Sequence, residues 1–308
     1  MISFIVPIHE WNDVTSRCVM NLKSQLSSNE LVIVADQCTV PAINCTVVQT
    51  PKRLHAAGSR NLGAKYAIND IMVFVDSDIL VPAGFVQHCE DTYRPNQTEI
   101  FCFPSGREVT ESVTAGFKGM LEMFSTHHVY DTPRDVSSQL QGYCCVITKN
   151  LLHKTGGWVE TRTMELESYA TKIKEAGVKI ILENTIQVQH YNHKGLALFT
   201  MVFDRASVWT QFKLLGKVTW DGKHKDKRNA IGSLFSLLLW PCLAEPILLL
   251  PWLVAHKILH AKWLWFLFTH NNFIRYLSYA GIHVLYLNCI GLGAIAGWLT
   301  AKFKSSKI

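Results

Sequence analysis

Ile71-Met72-Val73-Phe74-Val75-Asp76-Ser77-Asp78 is an apolar run closed by two carboxylates one residue apart. A short run rich in β-branched and aromatic residues, with no polar position in it, reads as a buried strand. The two acids then stand at the end of that strand, on the edge of a sheet. Two negative charges held that close need a counter-ion. A divalent cation with phosphate ligands is the counter-ion that also does chemistry. The stretch therefore points to metal-assisted work on a phosphorylated ligand.

Strand and helix signals alternate on either side of it. Ile2-Ser3-Phe4-Ile5-Val6 reads as a buried strand ended by Pro7, and Asn12 or Asp13 as the cap of a helix to about Leu26. Leu31-Val32-Ile33-Val34-Ala35 is a second strand ending at Asp36, and Thr46-Val47-Val48 a short third. Ser59 is expected to cap a helix through Ile68, a further helix spans about Ala83 to Thr92, and a strand follows around Ile100–Phe103. This order predicts a mostly parallel α/β sheet with right-handed crossovers. Ligands in such sheets bind outside the carboxyl ends of the strands. His9, Glu10, Asp36, Asp76 and Asp78 all fall at such ends. A GxGxxG after the first strand and a GxxxxGK[ST] are both absent from the sequence, which excludes the dinucleotide fingerprint and the P-loop. Haloacid-dehalogenase phosphatases also end a strand in Asp-x-Asp, but close to the chain start and with Thr or Val two residues on, whereas here Ile79-Leu80 follow a fourth strand.

The last third differs in composition. The chain of 308 residues is 48% hydrophobic and only 18% charged, with a mean hydropathy of +0.12. Residues 230–254 carry one charge, Glu245, and residues 277–299 carry no Asp, Glu, Lys or Arg. Each stretch exceeds the roughly 20 residues that cross a bilayer. They are expected to be two transmembrane helices; a very apolar buried helical subdomain is the other reading. Lys223, Lys225, Lys227 and Arg228 precede the first stretch, and Lys302, Lys304 and Lys307 follow the second. Basic flanks on both sides predict a multi-pass membrane hairpin whose N-terminal domain faces the cytoplasm. Between the stretches, Trp263, Trp265 and their apolar neighbours suggest an interfacial segment. A polar helix follows the first strand directly, so no signal peptide is expected. Nine cysteines without a CxxC fit free thiols in a reducing compartment. The net charge of +6 suits an anionic lipid surface; the aromatic-basic pattern of nucleic-acid binding is missing, so no nucleic acid is expected as a partner.

Four blocks in order resemble family 2 glycosyltransferases of the GT-A fold. They are Ile2–Pro7 with Leu31–Asp36, Ala57-Gly58-Ser59-Arg60-Asn61-Leu62-Gly63-Ala64, Val73–Asp78, and Gln141–Ile147 with Thr155-Gly156-Gly157-Trp158. The resemblance covers about residues 1–195. It implies an α/β GT-A nucleotide-sugar-binding domain, followed here by the transmembrane helices. It implies a nucleotide-sugar donor, Mn²⁺ or Mg²⁺, and inverting transfer of a sugar. By resemblance, Asp78 would be the more direct metal ligand, with Asp76 nearer the ribose and sugar. Asp36 would contact the nucleobase, Pro7, Ile8, His9 and Glu10 would line the nucleotide pocket, and Arg60 and Asn61 would lie close to it. His190, after Ile186–Gln189, would be a third ligand or a phosphate donor, with His193 and Lys194 near the phosphates.

The family's general base is usually the Asp of a Glu-Asp pair, on the helix after the Gly-Gly turn. In Arg162-Thr163-Met164-Glu165-Leu166-Glu167, Glu165 matches the family Glu and Leu166 occupies the Asp position. Either Glu165 or Glu167 serves as base, Glu165 first, or an anionic acceptor such as a polyprenyl phosphate needs none. The Gln-x-x-Arg-Trp motif of processive synthases is absent, which favours single-sugar transfer to a lipid, lipid-linked or polysaccharide acceptor. The departure at Leu166 keeps a second possibility open: an inactive GT-A membrane scaffold or nucleotide-sugar sensor. The expected organisation is a GT-A domain over 1–199, a basic juxtamembrane segment over 200–229, spans over 230–254 and 277–299 joined by an interfacial loop over 255–276, and a basic tail over 300–308. The irregular stretch 104–140, with Phe117, Met120, Leu121, Met123 and Phe124 at helical spacing, is where the acceptor would bind.

Overall fold

The structure, a computed structural model, describes residues 1–105, 113–127, 134–137, 140–161, 165–192, 195–215 and 224–305. They fall into two compact units, one built from residues 1–108 and 126–191, the other from 109–125 and 192–308.

The first unit is the α/β part. Its elements are β1 (Ile2–Ile8), α1 (Asp13–Lys23), β2 (Glu30–Asp36), β3 (Thr46–Thr50), α2 (His55–Tyr66), β4 (Ile71–Val75), β5 (Ile79–Leu80), α3 (Phe85–Thr92) and β6 (Glu99–Cys102). After α4 (Val113–His127), which belongs to the second unit, it continues with β7 (Arg134–Ser137), β8 (Cys144–Thr148), α5 (Lys149–Lys154), α6 (Glu165–Glu175), β9 (Lys179–Glu183) and β10 (Gln189–His190). Eight strands form one sheet in the order β3-β2-β1-β4-β8-β6-β9-β7, and β10 pairs with β5 in a separate ribbon. The half that carries the site, β3-β2-β1-β4, is parallel throughout. β8 runs antiparallel to β4 and β6.

The opening run behaves as a strand covered on both sides. Ile71, Val73 and Val75 enter the core on one face with Phe4, Val6 and Ile33, while Met72 and Phe74 enter the other with Ile5, Val32 and Val34. Alternate residues thus serve opposite cores, which is why the sequence shows no polar alternation.

Two expected boundaries move. Pro7 lies inside β1 rather than ending it, opposite Val34 of β2. The β1–β4 ladder stops at Ile5↔Phe74, so Pro7 sits where that side of the strand has no partner strand and no N–H is needed. Helix α2 starts at His55, four residues before Ser59, which is buried inside it. Its first turn is capped from elsewhere in the chain, as described below.

The second unit is helical. It contains α4, α7 (Leu196–Leu214), α8 (His224–Leu237), α9 (Leu239–Ala244), α10 (Leu249–Leu259), α11 (Ala261–His270) and α12 (Phe273–Ser305), with a 3₁₀ turn at Pro246–Leu248. Among the described residues, one helix is long and apolar enough to cross a membrane: Phe273–Phe303, with mean hydropathy 1.6. The stretch expected as a first span, 230–254, is instead three short helices and the 3₁₀ turn. Pro241, Pro246 and Pro251 explain the breaks, because each removes a backbone donor that a continuous helix needs. The expected interfacial loop is largely helical, as α11. Within 104–140, α4 holds the helically spaced apolar residues, and Phe117 and Met123 are buried with Trp263, Phe266 and Leu267.

This unit is apolar outside and partly polar inside. Leu277, Leu285, Leu292, Trp298 and Phe303 of α12 are exposed, as are Leu250, Leu253 and Ile258 of α10. Ser233, Ser236, Asn288 and three histidines are buried. The Asn288 amide accepts from the Trp240 indole at 2.9 Å and donates to the Ser236 carbonyl at 3.4 Å.

Close packing of α7 on α12 depends on Gly297, where an added Cβ would lie 2.1 Å from the Ser207 carbonyl oxygen. Gly297→Ala is therefore expected to destabilise the protein by about 1–3 kcal/mol through overpacking. Gly281→Ala, on the same helix but with nothing within 4 Å of the new Cβ, is expected to stabilise it by about 0.5–1 kcal/mol. Thermal unfolding of the two variants checks both signs.

Candidate active site

The site is built on the carboxyl ends of β2 and β4. Asp36, the last residue of β2, is buried, and its carboxylate is fully engaged. Oδ1 accepts from the Thr50 hydroxyl at 3.0 Å and the Leu54 N–H at 2.9 Å, and Oδ2 accepts from the His55 N–H at 2.9 Å. Asp36 thus caps α2 from a neighbouring strand, satisfying N–H groups that have no partner within the helix. His55 takes a positive φ of 58° at this junction. The cap fixes where α2 begins, and α2 carries Arg60 and Asn61.

Arg60 is 2% exposed and donates from Nη2 to Asp76 Oδ1 at 2.5 Å, Asp76 being 27% exposed. Its guanidinium lies over the Trp158 ring, 4.7 Å from the centroid, a cation–π contact in a desolvated setting. Arg60 Nε and Nη1 are buried without a hydrogen-bond partner among the described residues. Burial works against the Arg60 charge, but Asp76, by proximity and by the hydrogen bond, more than offsets it and holds the guanidinium's pKa above its usual value; Glu165 contributes in the same direction. Burial pushes the Asp76 carboxyl up; Arg60 opposes this, Asp78 adds to it and His190 opposes it.

Asp78 is brought to His190 by the β5–β10 ribbon. His190 pairs with Ile79, and the Tyr191 N–H donates to the Asp78 carbonyl at 3.0 Å. His190 Nε2 then lies 3.5 Å from Asp78 Oδ2. Tyr143 stacks on the His190 ring with centroids 5.0 Å apart, and its carbonyl accepts from the Asp76 N–H at 2.8 Å. Two carboxylates and an imidazole nitrogen at one strand end are a donor set suited to Mn²⁺, and to Mg²⁺ through the carboxylates. Of these, the Asp78 oxygen and the His190 nitrogen stand together, while Asp76 Oδ1 is turned onto Arg60.

The other expected residues fall as follows. Pro7 and Ile8 end β1 beside β2, with Ile8 buried, and His9 and Glu10 are exposed just beyond it. Asn61 clamps the Gly-Gly turn: it accepts from the Trp158 N–H at 2.9 Å and donates to the Trp158 carbonyl at 2.9 Å and to Glu160 Oε1 at 3.2 Å. Glu165 and Glu167 lie half-buried in the first turn of α6. Leu166 between them packs towards Gly142, where an added Cβ would meet Leu166 Cδ2 at 2.1 Å. Arg162, Thr163, Met164, His193 and Lys194 lie outside the described residues.

Three participants have no role assigned by the sequence. Trp158 is the platform for Arg60, Tyr143 supports His190, and Glu160 extends the Asn61 clamp. The signal for the first two was their place inside recognisable blocks; nothing local marks Glu160. All nine cysteines are free thiols, as their spacing implied.

Residues 3–154 match the family model of Glycosyl transferase family 2. No curated protein matches the chain. Among solved structures, it is similar to mannosyltransferase PcManGT from Pyrobaculum calidifontis, in complex with GDP-Man and Mn²⁺, at 15% identity and TM-score 0.54, over 98% of this chain and 87% of that one. It is also similar to S. aureus TarS 1–349, at 14% identity and TM-score 0.48, over 99% of this chain and 91% of that one. The family match identifies residues 3–154 as a glycosyltransferase family 2 domain, and the mostly parallel sheet, with the similarity to PcManGT, shows the GT-A fold.

Proposed function

We propose that this protein is a membrane-anchored, metal-dependent inverting glycosyltransferase that moves a single sugar from a nucleotide-sugar to a lipid, lipid-linked or polysaccharide acceptor. The observation that carries the reading is the approach of His190 to Asp78, two residues past Asp76 at the end of β4, with the buried Arg60 locked onto Asp76. Asp78 and His190 would hold Mn²⁺ or Mg²⁺, with Asp76 beside them. When bound, the ion offsets the charge that accumulates on the departing diphosphate.

The chain's own residues do the rest. Arg60 fixes the Asp76 carboxylate in one orientation, facing the donor's ribose and sugar. Its remaining buried N–H donors keep positive potential at the strand end, which favours an anionic ligand. Tyr143 holds the His190 ring. Pro7, Ile8, His9 and Glu10 line the nucleotide pocket at the end of β1, and the Asp36 cap shapes the part of it that receives the base.

On the acceptor side, Glu165 takes the proton from the attacking hydroxyl. Support comes from its half-buried place in the first turn of α6, shortly after the Gly-Gly turn. Glu165→Gln is expected to lower kcat by about 10²–10⁴-fold, with Glu167→Gln much closer to wild type. The reverse order would move the base to Glu167. Full activity in both variants would point to an acceptor already anionic, such as a polyprenyl phosphate.

The helical unit supports membrane anchoring, because its exposed face is apolar while its interior holds Ser, Asn and His. The basic residues at 223–228 and 302–307 favour a catalytic domain on the cytoplasmic side. Release of nucleoside diphosphate from a panel of nucleotide-sugars, with membranes, lipid extract and Mn²⁺, tests the activity. Leu166 packed towards Gly142, in place of the family's Asp, favours a second reading as a nucleotide-sugar sensor; donor binding without turnover for any donor would select it.

A further inference from the structure

We propose that His256, His260 and His283 form a second metal site, inside the helical unit, that takes Zn²⁺. One ring nitrogen from each lies within 4.8 Å of the others, and all three residues are buried. They lie outside the residues placed at the donor site.

The geometry is that of a ligand set slightly open. His256 and His260 are four residues apart, so they share one face across the end of α10, and His283 comes from α12. Ring centroids are 4.6 Å apart for His256–His260, 4.8 Å for His260–His283 and 6.0 Å for His256–His283. Zinc–nitrogen bonds of about 2.0–2.1 Å in a tetrahedron place ligand nitrogens roughly 3.3 Å apart. Each ring needs to move inward by less than about 1 Å, which small side-chain torsion changes supply.

Two independent features point to a ligand rather than to packing. His283 is 5% exposed, yet neither of its ring nitrogens has a hydrogen-bond partner among the described residues, and His256 Nδ1 is in the same position. Neutral imidazole carries one donor and one acceptor, and buried polar groups are normally satisfied; leucine would pack there without that penalty. Separately, α8 gives up a side chain beside this cluster. An added Cβ at Gly232 would lie 2.7 Å from His260 Cε1 and 3.0 Å from Nε2. Trp252 stacks on His256 at 5.0 Å and 12°, and Trp263 and Phe117 flank His283, so the rings are held in an aromatic frame.

The donor types select the ion. Three imidazoles, with no carboxylate or thiolate among the ligands, suit Zn²⁺ and disfavour Mg²⁺ and Ca²⁺, which take oxygen. Three protein ligands leave one coordination position for water or an anion. The ion would staple the α10–α11 junction to α12.

The test uses the full chain in detergent, stripped with a chelator, and carries Asp78→Asn so that uptake at the donor site is suppressed. Titration with Zn²⁺ against a chromophoric chelator is expected to give one equivalent per chain, bound more tightly than about 1 μM. Co²⁺ in place of Zn²⁺ is expected to give the visible absorption of a tetrahedral nitrogen-ligated site. His283→Phe and His256→Phe, which keep an aromatic ring, should each weaken uptake at least about a hundredfold. Absence of both Zn²⁺ uptake and the Co²⁺ spectrum in the folded, histidine-intact protein would overturn the proposal. So would undiminished uptake in the two Phe variants.

Discussion

Asp78→Asn is expected to lower sugar transfer on the order of a thousandfold, the scale set by removing one pre-organised electrostatic partner of a leaving group. The fold should survive. The Asp78 side chain is 42% exposed and meets His190 at 3.5 Å, so its ion pair contributes little to stability. Wild-type activity should vanish with EDTA and return with Mn²⁺, whereas no Mn²⁺ concentration should restore the variant. Nucleoside diphosphate release reads the rate, and circular dichroism the fold. A variant that keeps turnover within about tenfold of wild type, with the same Mn²⁺ dependence, would remove Asp78 from the metal site.

Arg60→Met is expected to damage both stability and activity. Arg60 is nearly inaccessible and its partner Asp76 mostly so, at 2% and 27% exposed. Removing one member of such a pair leaves the other charge without compensation, at about 3 kcal/mol. The Trp158 platform is lost as well. Adding Asp76→Asn to Arg60→Met should recover most of that stability, because the uncompensated charge is gone, while transfer stays abolished. Urea unfolding separates the two effects. If the double variant is no more stable than the single one, the loss comes from packing on Trp158 rather than from charge.

Much of the catalytic unit can be read in the sequence because its signals are local. The β4 run and its acids occupy eight consecutive residues, and the block at 57–64 lies on one helix. Failures occur where a partner comes from elsewhere in the chain. Ser59 has the chemistry of a cap, yet the cap of α2 is Asp36, supplied by another strand across the sheet edge. Pro7 breaks most strands, yet here it falls where the neighbouring ladder has ended. The position of His190 beside Asp78 depends on a two-residue ribbon too short to leave a pattern. In the helical part, hydropathy alone merges residues 230–254 into one span, whereas the prolines break it between α8, α9 and α10, of which α8 begins before the stretch and α10 ends after it. The histidine cluster is invisible in sequence because two of its members are spaced as on any helix and the third arrives from α12.

The β5–β10 ribbon also bears on the order in which the protein is made. A growing chain can lay down β1, β2, β3 and β4, and so position Asp36, Arg60, Asp76 and Asp78, well before residue 189 leaves the ribosome. His190 arrives more than a hundred residues after the acid it faces. The strand that delivers it lies beyond the segment matched to the family, which ends at residue 154. A nascent chain or a premature fragment ending short of β10 would therefore carry both carboxylates without their imidazole. By the time His190 meets Asp78, the strands of this unit have all been made and the apolar helices from residue 196 on are next to emerge.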